Sequence, residues 1–109
     1  MNKHTPGPWI ARNLSKGIWT VEAGSPHVHG KIQEVCRIAG PWNPENYRRN
    51  ARLIASAPEL LEALEALLVD AVEIQSLRQS IYQRNGTPFT PSAKIDQARS
   101  AIAKAKGEA

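Results

Sequence analysis

Hydrophobic positions change period partway along the chain. Up to residue 42, short runs rich in β-branched and aromatic residues alternate with turn formers. The runs are Trp9-Ile10-Ala11-Arg12, Ile18-Trp19-Thr20-Val21-Glu22 and Ile32 to Ile38; the turns are Asn13 to Gly17 and Ala23-Gly24-Ser25-Pro26. These connections are too short for parallel crossovers, which predicts an antiparallel meander of three or four strands. Val28 and Ile32 flank Gly30 and fit either a tight hairpin or one bulged strand. Gly40-Pro41-Trp42-Asn43-Pro44 ends the sheet, with Asn43 as a helix cap and Pro44 at the first helical position.

From Glu45 the period is helical. Ser56-Ala57-Pro58 interrupts it, predicting a kink or a fresh helix start near Ser56 or Ala57 with Glu59 in the first turn. Leu53, Ala57, Leu60, Leu64, Leu67, Ala71 and Ile74 recur at alternating spacings of four and three, and Ile54, Leu61, Leu68 and Val72 widen that seam. Asn85-Gly86-Thr87-Pro88 predicts a left-handed stop after about Arg84. Ser92 caps a last helix whose stripe is Ile95, Ala98, Ile102 and Ala105, and Gly107 ends it. The expected fold class is α+β in a single domain: a small antiparallel β-sheet over 1–42, a long kinked helix over 43–86 and a shorter C-terminal helix over 91–106. A helix from Pro58 to Arg84 is roughly 40 Å long at ~1.5 Å per residue, whereas a compact chain of this length is roughly 35 Å across. The excess, with a last helix too short to cover the stripe, predicts a homo-oligomer; the alternative is a bent helix folded over its own sheet.

Composition removes several classes. Apolar residues make up 41% and charged residues 22%, as in an ordinary globular chain. Cys36 is the one cysteine, so no disulfide scaffold forms within the chain. No apolar run approaches the ~20 residues of a membrane span, and the N-terminus has no apolar leader segment, so the expected location is the cytoplasm. Net charge is +4, but it is banded. Residues 1–57 carry +5, residues 58–77 carry five acids and no base, and residues 78–109 carry +4. Basic surfaces on either side of an acidic middle can receive an anion, or be solvated surface with no partner.

Catalytic or metal chemistry finds little support. His27, His29 and Cys36 could approach a soft metal, but no further cysteine or histidine cluster joins them and the glycine-rich setting suits a turn. There is no phosphate-binding glycine motif and no serine in a nucleophile elbow, so no enzyme activity, metal or cofactor is expected. The best anion site is Tyr47-Arg48-Arg49-Asn50-Ala51-Arg52. Arg48, Arg49 and Arg52, three and four apart, can converge beside Asn50 on one flank of an opening helix, where guanidinium forks suit phosphate oxygens. Glu45 and acids of a neighbouring subunit could instead neutralise them. A second candidate is the inter-helix connector, where Phe89 can stack on a base while Arg84 and Asn85 bind its edge or phosphate; alternatively Phe89 plugs the end of the helical pair. Arg99 either joins a cluster or pairs with Asp96. Trp9 and Trp42 are expected to pack on the sheet.

Thr5-Pro6-Gly7-Pro8-Trp9, Asn50-Ala51-Arg52-Leu53-Ile54-Ala55-Ser56-Ala57-Pro58-Glu59-Leu60-Leu61-Glu62-Ala63-Leu64-Glu65 and Ala98-Arg99-Ser100-Ala101-Ile102-Ala103-Lys104-Ala105 together resemble a widespread group of small bacteriophage proteins. Within that group the chain resembles the first-described family of phage Thoeris anti-defence sponges. That resemblance implies an oligomer, dimer or higher and up to a hexamer, that sequesters cyclic nucleotide immune signals in an infected bacterial host without cleaving them. Implied ligands are cyclic ADP-ribose isomers from TIR-domain proteins and cyclic di- or trinucleotides from cGAS-like enzymes. Two other functions fit the same residues: a small nucleic-acid-binding accessory protein, disfavoured by the acidic helix between the basic segments, and a host-protein-binding factor that docks through its apolar helix.

Overall fold

The computed structural model describes residues 4–23, 33–39 and 44–108. The elements are β1 (Trp9–Ser15), β2 (Ile18–Ala23), β3 (Gln33–Ala39), α1 (Pro44–Ala55), α2 (Ala57–Arg84) and α3 (Ala93–Ala105). The chain divides into two compact units, Lys3–Leu60 and Leu61–Ala109. The α+β class and the antiparallel meander are as the sequence predicts, with three described strands in the order β1-β2-β3. Val28, Gly30, Ile32, His27, His29, Trp42 and Asn43 lie outside the described residues.

In the first unit, Lys16 and Gly17 turn β1 into β2, and Gly17 takes the positive φ of 78° that the turn requires. The ladder slips between Asn13 and Ser15, leaving Leu14 as an extra residue beside the hairpin end. A second slip lies between β2 and β3, where Val21 pairs with Cys36 and Glu22 with Glu34, so Val35 has no opposite number. That bulge lets Glu34 and Arg37, three apart on one strand, meet through two hydrogen bonds of 2.9 and 3.2 Å. On the other side of the same acidic pair, Arg12 stands 3.7 Å from Glu22. Glu22 and Glu34 would repel as cross-strand partners; a guanidinium beside each offsets this.

The Arg37 hydrogen bond holds the Glu34 carboxyl below its ordinary range. The pair's contribution is therefore present above the ordinary glutamate pKa and is lost as pH falls through the lowered one. Both groups are exposed, so the stability effect is small. Carboxyl-detected NMR is expected to give Glu34 a midpoint below the ordinary glutamate range, and Arg37→Ala to return it to that range.

α1 lies against β1 and β2. Its half-buried and buried positions, Tyr47, Arg48, Ala51, Ile54 and Ala55, fall on one face, while Glu45, Arg49, Asn50, Arg52 and Leu53 face solvent. Val21 and Ala51 are fully buried, with Thr20 and Ala23 close to it. The predicted interruption is real: Ser56 separates α1 from α2. Pro58 cannot donate to the helical ladder, and Ser56 satisfies the exposed carbonyl of Arg52 with both its amide (3.0 Å) and its hydroxyl (2.9 Å). A Cβ added at Gly7 would stand 3.4 Å from the Pro58 ring, so the Thr5–Trp9 motif packs directly on the break between the two helices. Trp9 holds that arm through a 3.1 Å bond from its indole Nε1 to the Thr5 carbonyl.

The second unit is a pair of helices and their connector. α2 ends where Thr87 N–H donates to the Tyr82 carbonyl (2.9 Å) and Gly86 N–H to that of Gln83 (3.2 Å), with Gly86 at φ 68°. The same pattern closes α3, with Glu108 on Ala103 (2.8 Å), Gly107 on Lys104 (3.2 Å) and Gly107 at φ 75°. A Cβ at Gly86 would meet nothing within 4 Å, so Gly86→Ala isolates the backbone cost. A loss of about 1 kcal/mol is expected in thermal or chemical unfolding. Ser92 caps α3 by accepting from the Lys94 amide at 3.3 Å.

Ile95 and Ile102 of α3 are buried and Ala98 half-buried. Ala105, expected on that stripe, is exposed; Lys106 occupies the next inward turn and its Nζ reaches Glu65 at 3.1 Å. On α2 the inward positions are Leu61, Leu64, Glu65, Leu68, Ala71, Val72 and Gln75. The seam therefore divides. Its widening members Leu61, Leu68 and Val72 turn inward with Leu64 and Ala71, whereas Leu60, Leu67 and Ile74 are exposed. A four-three repeat drifts around a straight helix, and an inward face centred on Leu61, Leu64 and Leu68 leaves the repeat's other edge in solvent.

Candidate anion-binding site

The two clusters singled out in the sequence fall in different units. In the first, Arg48 and Arg49 converge on one carboxylate, that of Glu45. Arg48 Nη2 hydrogen-bonds Glu45 Oε1, and Arg49 Nε stands 3.6 Å from the same oxygen. Spacings of three and four put both guanidiniums on the acid's flank of the helix. Arg48 is half-buried with its Nε lacking a hydrogen-bond partner, while Arg49, Asn50 and Arg52 are exposed. Arg52 makes no ion pair among the described residues. The chain's own acid thus already occupies the point where two of the three arginines meet.

In the second unit Arg84 and Asn85 are exposed at the end of α2, and Asn85 N–H donates to the Ile81 carbonyl at 3.1 Å. Arg99 stands 3.6 Å from Asp96, the surface pair its spacing suggested. Phe89 behaves differently. Half-buried, it meets Tyr82 edge to face, with ring centroids 5.5 Å apart and planes at 85°. It also borders a cavity of about 290 Å³ between α2, the connector and the start of α3.

Ala71, Ile74 and Ile95 give this cavity an apolar floor. Arg78 from α2 and Lys94 from the first turn of α3 supply two positive charges, and Gln75, Thr90 and Ser92 supply polar groups. The Gln75 amide oxygen accepts from the Ser92 backbone N–H at 2.8 Å, which ties the connector to α2 and directs the amide nitrogen elsewhere. Its described lining holds no carboxylate, imidazole or thiol. The arrangement can neutralise an anion, donate hydrogen bonds to it and present a ring edge or face to a flat group.

Of the sequence-predicted residues, only Phe89 borders this cavity; Arg78, Lys94 and Gln75 escaped sequence reading. The available signal was spacing. Ala71, Ile74, Gln75 and Arg78 lie on one flank of α2, and Ser92 marks the turn that brings Lys94 back toward it. No group of three or more metal-ligating side chains gathers among the described residues. No helix among them is long and apolar enough to cross a membrane.

The fold is that of a small α+β protein with a cationic, aromatic-edged cavity between α2 and α3. Comparison with known proteins gives its lineage. The sequence profile of a family described as Salmonella phage P22 protein Y8K6 matches residues 1–109, and the chain belongs to that bacteriophage protein family. No curated protein and no solved structure matches it.

Proposed function

We propose that this phage protein is an anti-defence sponge, one that binds and sequesters cyclic nucleotide immune signals and leaves them intact. The observation that carries the reading is the α2–α3 cavity, where Arg78 and Lys94 flank an apolar floor beside Phe89. Cyclic nucleotides combine a flat heterocycle with one or more phosphates, so they need both an aromatic or apolar wall and fixed cations. The cavity volume is near the lower end of the ~300 Å³ and upward typical of small-molecule clefts. Arg78 and Lys94, with the polar groups of Gln75, Thr90 and Ser92, supply charge and donors suited to holding such a ligand. Family membership among phage proteins supports a role during infection, in the cytoplasm of the bacterial host. Copies of the chain are proposed to associate, as the exposed edge of the α2 seam suggests.

Equilibrium dialysis of the purified protein tests this against a panel of cyclic ADP-ribose isomers and cyclic di- and trinucleotides, with duplex DNA as the competitor class. Retention of at least one cyclic nucleotide at micromolar protein is expected. Retention of duplex alone, falling steeply with salt, would replace this reading with nucleic-acid binding.

A further inference from the structure

α2 carries a second apolar line, which adjoins the face it turns toward α3 at Ile74. Leu60, Leu67, Ile74 and Ile81 follow one another at intervals of seven residues, and Leu77 lies on the same side between the last two. Their exposure ranges from 46% at Ile81 to 66% at Leu77, and α2 has no fully buried residue along its 28-residue length. A seven-residue apolar period on a helix is the geometry of packing against another helix, since 3.5 residues per turn keeps the seam facing its partner. Lone exposed apolar residues are ordinary; four on one line with a fifth beside them form a patch.

Charge selects the occupant. Glu59, Glu62, Glu65, Asp70 and Glu73 lie in the first part of α2 with no base, and Arg78 and Arg84 lie in the last part with no acid. Two copies aligned in the same sense would set acids beside acids. Related by a two-fold axis and running in opposite senses, each would set its acidic half across from its partner's arginines and would also oppose the helix dipoles. The helix is thus self-complementary in one sense only. An anionic lipid surface would meet Glu59 and Asp70 beside the line.

We infer that two copies of this chain pair through α2, antiparallel, along the Leu60–Leu67–Ile74–Ile81 line. The inference rests on the self-association proposed above and gives it a surface and a sense. Ile74 belongs both to this line and to the cavity wall, so the partner helix stands at the cavity's edge.

Light scattering on the full chain is expected to give twice the chain mass, and Leu67→Glu to give the chain mass at concentrations where the parent is paired. Val69→Glu is the matched control: Val69 is also exposed (59%) but lies about 200° around the helix from Leu67, so that variant is expected to stay paired. Neither position is buried, so circular dichroism of both variants is expected to match the parent. A monomeric parent overturns self-association itself. A paired Leu67→Glu, or equal dissociation by both variants, overturns this surface while leaving self-association standing. For the sense, spin labels on Gln83→Cys in a Cys36→Ser background are expected roughly 30–40 Å apart across an antiparallel pair. A separation under about 20 Å would place the two C-terminal ends side by side and overturn the antiparallel arrangement.

Discussion

Replacing Arg78 and Lys94 together by alanine is expected to weaken capture of a cyclic nucleotide roughly 100-fold or more, since each charge-assisted hydrogen bond to phosphate contributes about 1.5–3 kcal/mol. Neither residue belongs to the ion pairs found among the described residues, so their removal breaks no such pair. The fold should survive. Lys94 contributes its backbone amide to the Ser92 cap, and alanine keeps that amide. Calorimetric titration of the double variant against the best-retained cyclic nucleotide checks the loss, with the triple variant Arg48→Ala, Arg49→Ala, Arg52→Ala beside it. In the triple variant Glu45 loses both guanidiniums and capture is expected to persist. The reverse outcome, capture lost in the triple variant and kept in the double, would move the site to the start of α1.

The second large effect concerns the first unit. Ala51→Leu is expected to destabilise it by about 1–3 kcal/mol or more, read as a lower denaturation midpoint. Ala51 is fully buried on the face α1 presents to β1 and β2, where Val21 is fully buried as well. With so few enclosed residues there is little slack to absorb three added carbons without moving the helix off the sheet. Leu53→Ala, two residues away on the solvent side, is expected to stay within ~0.5 kcal/mol of the parent. Equal losses at the two positions would contradict the assigned face of α1.

These positions also explain what could be read in advance. The strands, the break at Ser56, the stop at Gly86 and the Ser92 cap were readable because each depends on residues adjacent in sequence: a turn glycine, a proline without an N–H, a hydroxyl beside a free amide. Ala51 shares a helical spacing with Tyr47, Ile54 and Ala55, but that face competes in the sequence with the stronger Leu53 seam, and only packing on the sheet decides which of the two is buried. The arginine cluster at residues 48–52 was readable as a charge pattern, but its neutralisation by Glu45 is a matter of rotamers and distance. The cavity is further removed still. Arg78 and Lys94 are separated by a turn and a connector, and they share a lining because the Gly86 stop and the Ser92 cap return α3 to α2. The split of the α2 seam into an inward and an outward edge needed the position of α3, which no local pattern carries.

Heat-released ligand, analysed by liquid chromatography and mass spectrometry, tests the central claim most directly. The parent protein is loaded with a cyclic nucleotide, washed free of unbound ligand and heated, and the supernatant is weighed. The account predicts the starting molecule at its original mass, in amounts close to one per cavity. A linearised or hydrolysed product, or an empty supernatant after every ligand of the panel, would contradict it.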